Sequence, residues 1–206
     1  MQGGIRQAIR VAGVRRLAGT VILVAGAVLL TAAAGDVARA ALARDGARAA
    51  WDRQVARQAV EAVERAVAPN RELAPVRRGS PMARLIIPRL GLDEVVVEGV
   101  GDAELRAGPG HLPGSAVPGD SGNSVISAHR DRHFRELGDL AIGDTVVTET
   151  LAGQSQWVVT KRTLVRRGAP ALFSSAEPLL TLTTCWPIQA LGSAPDRVLY
   201  EARLIS

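Results

Sequence analysis

The sequence predicts a mainly β fold, a closed or nearly closed barrel, behind a helical N-terminal region. Two observations carry the barrel. From Met82 onward, short β-branched runs recur, each bounded by glycine, proline, asparagine or aspartate. No long helical pattern alternates with them, which argues against a parallel α/β sheet and for a barrel. A third observation carries the helical region. Four arginines (Arg6, Arg10, Arg15 and Arg16) precede the uncharged run Leu17–Gly35 of 19 residues. Hydrophobic residues make up 47% of the 206 but aromatics only 3%, so the core is expected to be aliphatic.

About 20 apolar residues cross a bilayer as a helix, and Leu17–Gly35 meets that length. The positive-inside tendency leaves residues 1–16 as a cytoplasmic basic tail and everything after Asp36 outside. Ala32-Ala33-Ala34 offers small residues for a signal peptidase. The uncharged stretch is long for a signal core, so a retained anchor over 17–35 is expected, in the cytoplasmic membrane. Residues 36–68 contain no proline and place Trp51, Val55, Ala59, Ala62 and Ala66 on one helical face. Arg57 and Glu61 are four apart on the other side and can pair. This membrane-proximal helix reads as a solvated stalk or, because Trp51 stands on its apolar stripe, as a partner or membrane-surface helix. Residues 69–81 carry Pro69, Pro75, Gly79 and Pro81 without periodicity and read as a linker. The barrel domain is then 82–206.

Within it, Arg84–Pro88, Val95–Val97, Ser124–Ser127, Val146–Thr150, Trp157–Thr160, Leu179–Thr184 and Leu199–Leu204 read as strands. Gly91, Gly108-Pro109-Gly110, Pro113-Gly114, Pro118-Gly119-Asp120, Gly143-Asp144 and Ala152-Gly153 read as turns. Net charge is +5, but the arginines are scattered and not interleaved with aromatics, so nucleic acid is not expected as a partner.

The chemistry centres on Cys185, the single cysteine. It closes the strand run Leu179–Thr184 and is followed by Trp186-Pro187. Proline donates nothing to a ladder, so the strand stops there and leaves the thiol at its end. A lone cysteine is also an ordinary buried hydrophobe. One cysteine excludes an internal disulfide and a Cys-rich zinc module. His129-x3-His133 lacks the further ligands a zinc site needs. No clustered Asp/Glu set resembles a calcium site, so neither metal nor cofactor is predicted. His129 follows a strand, and Arg197 follows the cysteine by 12 residues and opens the last strand. Each taken alone is an ordinary surface or strand residue.

Taken together, these stretches resemble a known family. Thr181-Leu182-Thr183-Thr184-Cys185-Trp186-Pro187 is similar to the TLxTC signature of sortases, the cysteine transpeptidases of the bacterial envelope. Ala128-His129-Arg130, with Phe134 behind it, resembles their histidine motif. Arg197-Val198-Leu199-Tyr200 resembles their arginine-bearing final strand. Arg130–Phe134 and Cys185–Ile188 are most similar to the Gram-negative class. The resemblance covers Met82–Ser206 and implies an eight-stranded barrel, with cysteine and arginine on neighbouring strands and the histidine in the loop after a third. It implies a C-terminal sorting signal on a surface protein as substrate and an amine as acceptor. It also implies that the loop before the cysteine strand, between Lys161 and Pro178, walls the peptide groove. Val165, Leu172 and Phe173 are the apolar candidates there, suited to a Leu-Pro type dipeptide.

The residue types suit acyl transfer. A thiolate is the nucleophile and an imidazole can hold its proton and later give it to a leaving amine. A tetrahedral oxyanion needs fixed donors; Arg197 supplies a charged fork, and the backbone or hydroxyl of Thr184 a second. Asp131 is the nearest candidate to orient His129, and His111 receives no role. Nothing in the residues alone prefers an amine over water as acceptor. A cysteine hydrolase and a non-catalytic module binding an extended peptide are the alternatives.

Overall fold

The computed structural model describes residues 3–65, 76–169, 174–190 and 192–206. The chain forms two compact units, Met1–Leu42 and Ala43–Ser206. One helix, α1, runs without a break from Gly3 to Arg65, through both the expected anchor and the expected stalk. Part of it is long and apolar enough to cross a membrane. Leu23, Leu29 and Leu30 on it are largely exposed.

Within the second unit, two residues of the stripe expected on the stalk differ, and its Ala66 lies outside the described residues. Trp51 is buried, whereas Val55 is exposed. Charged contacts fasten this part of α1 to the sheet. Arg44 donates to Glu94 at 2.6 Å, and Arg48 to the backbone carbonyl of Asp93 at 2.9 Å.

Eight strands follow: β1 (Pro81–Ile87), β2 (Leu92–Glu98), β3 (Gly110–His111), β4 (Asn123–Ser127), β5 (Thr145–Thr150), β6 (Gly153–Arg166), β7 (Leu179–Trp186) and β8 (Asp196–Leu204). A short helix, α2 (Asp102–Ala107), lies between β2 and β3. The sheet closes in the order β1-β2-β3-β4-β7-β8-β6-β5, an eight-stranded barrel as the family resemblance implies. Pro88 opens a single 3-10 turn after β1, and Gly91 at φ 60° ends it in the left-handed region, so the chain returns as β2.

Side chains alternate between the two faces of each strand. The inner set is one continuous core, with Leu85, Ile87, Val96, Ile126, Val146, Val159, Leu180, Leu182, Val198 and Ala202 among its members. The aliphatic expectation holds for most of it. However, the largest fully buried side chains are Trp157, Tyr200 and Phe134. Trp157 brings a donor inside and satisfies it, its Nε1 donating to Thr148 Oγ1 at 2.9 Å.

Two features depart from the sequence reading. The Gly108–Gly110 stretch, read as a turn, contains β3, a two-residue strand parallel to β2 and antiparallel to β4. Gly110 is required there, because a Cβ would lie 2.1 Å from the carbonyl oxygen of Gly99. Likewise, β6 continues to Arg166, through the first third of the segment expected as a substrate loop. After an irregularity between Val159 and Lys161 it keeps pairing with β8, from Lys161↔Glu201 to Arg166↔Asp196.

Candidate active site

The site is built on the outer face of β4, β7, β8 and β6, which are neighbours in that order. On β7, Leu180 and Leu182 belong to the inner core. Alternation therefore turns Thr181, Thr183 and Cys185 outward. Across the antiparallel β7–β8 ladder, Cys185 stands directly opposite Arg197. Opposed residues share a face, with Cβ atoms about 4.5–5.5 Å apart. The neighbouring ladder β4–β7 is parallel, and Ser127 is level with Thr183. Its line continues beyond β4, where the backbone N–H of Ala128 donates to the carbonyl of Thr183 at 3.3 Å. His129 follows two residues past Ser127, just beyond the end of β4. On the far side, Val165 of β6 is opposite Arg197. The row so formed holds thiol, guanidinium and an aliphatic residue on β7, β8 and β6, with the imidazole two residues past the end of β4.

All three polar members of that row are half-buried. Cys185 is a free thiol. None of their side chains forms a hydrogen bond or ion pair with another described residue. Asp131, the sequence candidate for orienting His129, is exposed and makes no bond to its ring among the described residues.

The supports of the row are, in contrast, fully engaged. Thr184 is buried, and its hydroxyl donates inward to the carbonyl of Ala128 at 2.8 Å. The hydroxyl is thus on the face opposite Cys185 and committed. It ties the cysteine strand to the residue before His129; of the two donors expected of Thr184, the hydroxyl is thus taken, and the backbone N–H is the other. The turn after His129 is pinned by the N–H of Phe134, which donates to the His129 carbonyl at 3.2 Å while its ring is wholly in the core. Arg130 donates to the carbonyl of Pro187 at 2.7 Å and to that of Gly192, stitching the histidine turn to the loop between β7 and β8. Its place beside His129 in the motif was the available sequence signal. Below Cys185, Arg162 lies over the Trp186 ring at 4.6 Å from its centroid and donates to the Tyr200 hydroxyl at 3.0 Å. This cation–π contact braces the residue that follows the thiol.

The outer face next to the row is apolar. Val125 and Leu199 are buried there, with Leu112 and Val165 packed against them. Val165, expected in a loop, is on strand β6. Leu172 and Phe173 lie outside the described residues. Among the described residues no group of His, Cys, Asp and Glu could hold a metal ion.

Elsewhere some ionisable groups pair on the surface. Arg84 clasps Asp93 with two bonds of 2.6 and 2.7 Å. That bond, with Arg48 adding its charge, holds the Asp93 carboxyl below the ordinary carboxylate range.

The model of the Sortase domain family matches residues 85–205. The chain belongs to the sortase family, a family of cysteine transpeptidases. It is 31% identical to Sortase D of Bacillus subtilis over 129 residues, which cover 61% of this chain and 65% of that relative. The match thus spans just under two thirds of the relative's length. Among solved structures, a Clostridium perfringens Sortase D5 transpeptidase is 26% identical with a TM-score of 0.59, over 64% of this chain and 83% of that one. The catalytic domain of B. anthracis SrtD is 32% identical with a TM-score of 0.55, over 68% of this chain and 97% of that one.

Proposed function

We propose that this protein is a membrane-anchored sortase that cleaves a C-terminal sorting signal and transfers the acyl group to an amine. The observation that carries this reading is the row His129–Cys185–Arg197. A thiol and a guanidinium stand opposite each other on the β7–β8 ladder and an imidazole follows the neighbouring strand, none with a partner among the described residues, which supports reading them as nucleophile, cation and base.

In the proposed cycle, the Cys185 thiolate attacks the scissile carbonyl and the oxyanion leans on Arg197. The proton taken from the thiol rests on His129. It passes to the departing amine as the C–N bond breaks, leaving a thioester on Cys185. An incoming amine then attacks the thioester, gives a proton to His129, and releases the thiol as the new amide forms. Val165, with Leu172 and Phe173 of the following loop, is proposed to hold the apolar part of the signal. In this reading residues 1–16 are cytoplasmic, 17–35 span the cytoplasmic membrane, 36–68 rise from it and 69–81 link to the catalytic domain 82–206, outside. The Gram-negative class remains the finer assignment that Arg130–Phe134 and Cys185–Ile188 favour.

The test is mass spectrometry of the protein mixed with candidate sorting peptides, with and without an added amine. An acyl adduct on Cys185 that the amine discharges into a new amide is expected. Release by water alone, unaffected by amine, would replace transpeptidase with hydrolase. Peptide binding that survives Cys185→Ala with no adduct in the parent protein would leave only a binding module.

A further inference from the structure

The catalytic reading leaves a buried polar cluster unused. His111, on β3, is only 3% exposed, and both ring nitrogens are engaged. Nδ1 faces the Glu98 carboxylate of β2 at 2.7 Å. Nε2 faces the Ala116 carbonyl at 2.9 Å and Ser115 Oγ at 2.9 Å. A serine, a histidine and a carboxylate in this order resemble a hydrolytic triad, but the protons exclude it. A carbonyl can only accept, so Nε2 carries a proton. The one proton of the Ser115 hydroxyl goes to the carbonyl of Leu112, at 2.7 Å. Ser115 therefore accepts from His111 and is not activated by it.

The cluster instead holds a segment of backbone. Ser115 accepts from the N–H of Val125 on β4 at 3.2 Å, and the N–H of Leu112 donates to the Val125 carbonyl at 2.8 Å. The Leu112 carbonyl also takes the N–H of Ser115 at 3.0 Å. Both backbone groups of Leu112 are thus fixed, from one side by β4 and from the other by a turn that His111 anchors to Glu98. Its side chain packs against the Val125–Leu199 cluster, as Val165 does, and Leu199 and Val165 belong to the strands that carry the Cys185–Arg197 row.

We propose that Glu98 and His111 are positioning residues that hold Leu112 as a wall of the peptide groove, and so set how tightly the peptide is bound and not how fast the bond is cut. The inference rests on the transpeptidase reading above. If it is right, loosening the wall removes binding common to ground and transition state, which raises KM and spares kcat.

The experiment uses the full chain with a sorting peptide and amine that the parent protein turns over, loss of turnover in Cys185→Ala being checked first. Without that turnover the transpeptidase reading falls, and this inference with it. Given it, Glu98→Ala, His111→Ala and Leu112→Ala are each expected to raise KM about tenfold with kcat within about threefold. Glu98→Gln is expected to hold KM within about twofold, because its amide N–H can donate to a neutral Nδ1. Combining Glu98→Ala with Leu112→Ala is expected to add little to either, since both act on one wall. Thermal unfolding separates loss of fold from loss of binding, and Leu112→Ala carries the test if the network variants do not fold. An unchanged KM in folded Glu98→Ala or Leu112→Ala, additive effects in the double variant, or a fall in kcat at constant KM would overturn the inference and leave the transpeptidase reading intact.

Discussion

The two faces of β7 are made from the same eight residues and do opposite jobs. Inward, Leu180 and Leu182 are fully buried and Thr184 spends its hydroxyl on the Ala128 carbonyl. Outward, Cys185 has no partner among the described residues, and neither do Arg197 opposite it and His129 beyond the neighbouring strand. A protein ordinarily satisfies its polar groups. Here the inner face follows that rule and the end of the outer face departs from it. The contrast separates residues that hold the fold from residues kept for a ligand.

Substitutions on the two faces should therefore fail differently. The largest effect belongs to the thiol. Cys185→Ala is expected to abolish turnover and the acyl adduct, with the thermal midpoint unchanged; surviving turnover would break the comparison outright. Next, His129→Ala and Arg197→Ala are each expected to lower kcat/KM by about 10²–10⁴-fold while unfolding at the parent temperature. On the inner face, Leu182→Ala is expected to cost about 2–5 kcal/mol in denaturant unfolding, because a filled core cannot close around the missing atoms. Thr184→Val is expected to cost about 1–3 kcal/mol by leaving a buried carbonyl unpaired, and to slow turnover through the displaced His129 turn. A Thr184→Val protein of parent stability and lower activity would move Thr184 to the other side of the comparison.

The smallest effect lies away from β7. The Asp93 carboxyl is held low by Arg84, so its folded value is below its ordinary value near 3.8. The stabilisation is then complete at neutral pH and is lost as pH falls through the lower folded value. Both side chains are well exposed, at 39% and 49%. Arg84→Ala should thus cost only about 0.2–1 kcal/mol near neutral pH and nothing in strong acid, as measured by denaturant titration at both.

Much of this was legible in the sequence, where periodicity and composition agree. β7 was readable because Leu180 and Leu182 alternate with threonines and Pro187 ends the run. The catalytic row was readable as a resemblance, but its geometry was not. That Arg197 stands opposite Cys185 and that the strand before His129 lies beside β7 depend on one antiparallel and one parallel ladder, and neither register is written in local sequence. The second half of β6 gave no signal, because Lys161, Arg162, Thr163 and Leu164 show no apolar alternation. Its contact with the barrel there is the guanidinium of Arg162 against Trp186. β3 was hidden for another reason: two residues between Pro109 and Leu112 make no pattern, and only their neighbours β2 and β4 make them a strand. His111 received no role because its partners Glu98 and Ser115 lie 13 and 4 residues away in different elements.

Among the described residues, Arg130 fastens two points of the loop between β7 and β8, at Pro187 and Gly192. The ladder itself, not the loop, decides which residue faces the thiol. Extra residues inserted after Gly192 would lengthen a surface excursion at little entropic cost and leave the pairing alone. One extra residue inside the strand would turn the sulfur toward the barrel interior. Chains descended from a common ancestor should then differ freely in the length of that excursion, and hardly at all in the count of residues between Leu182 and the thiol.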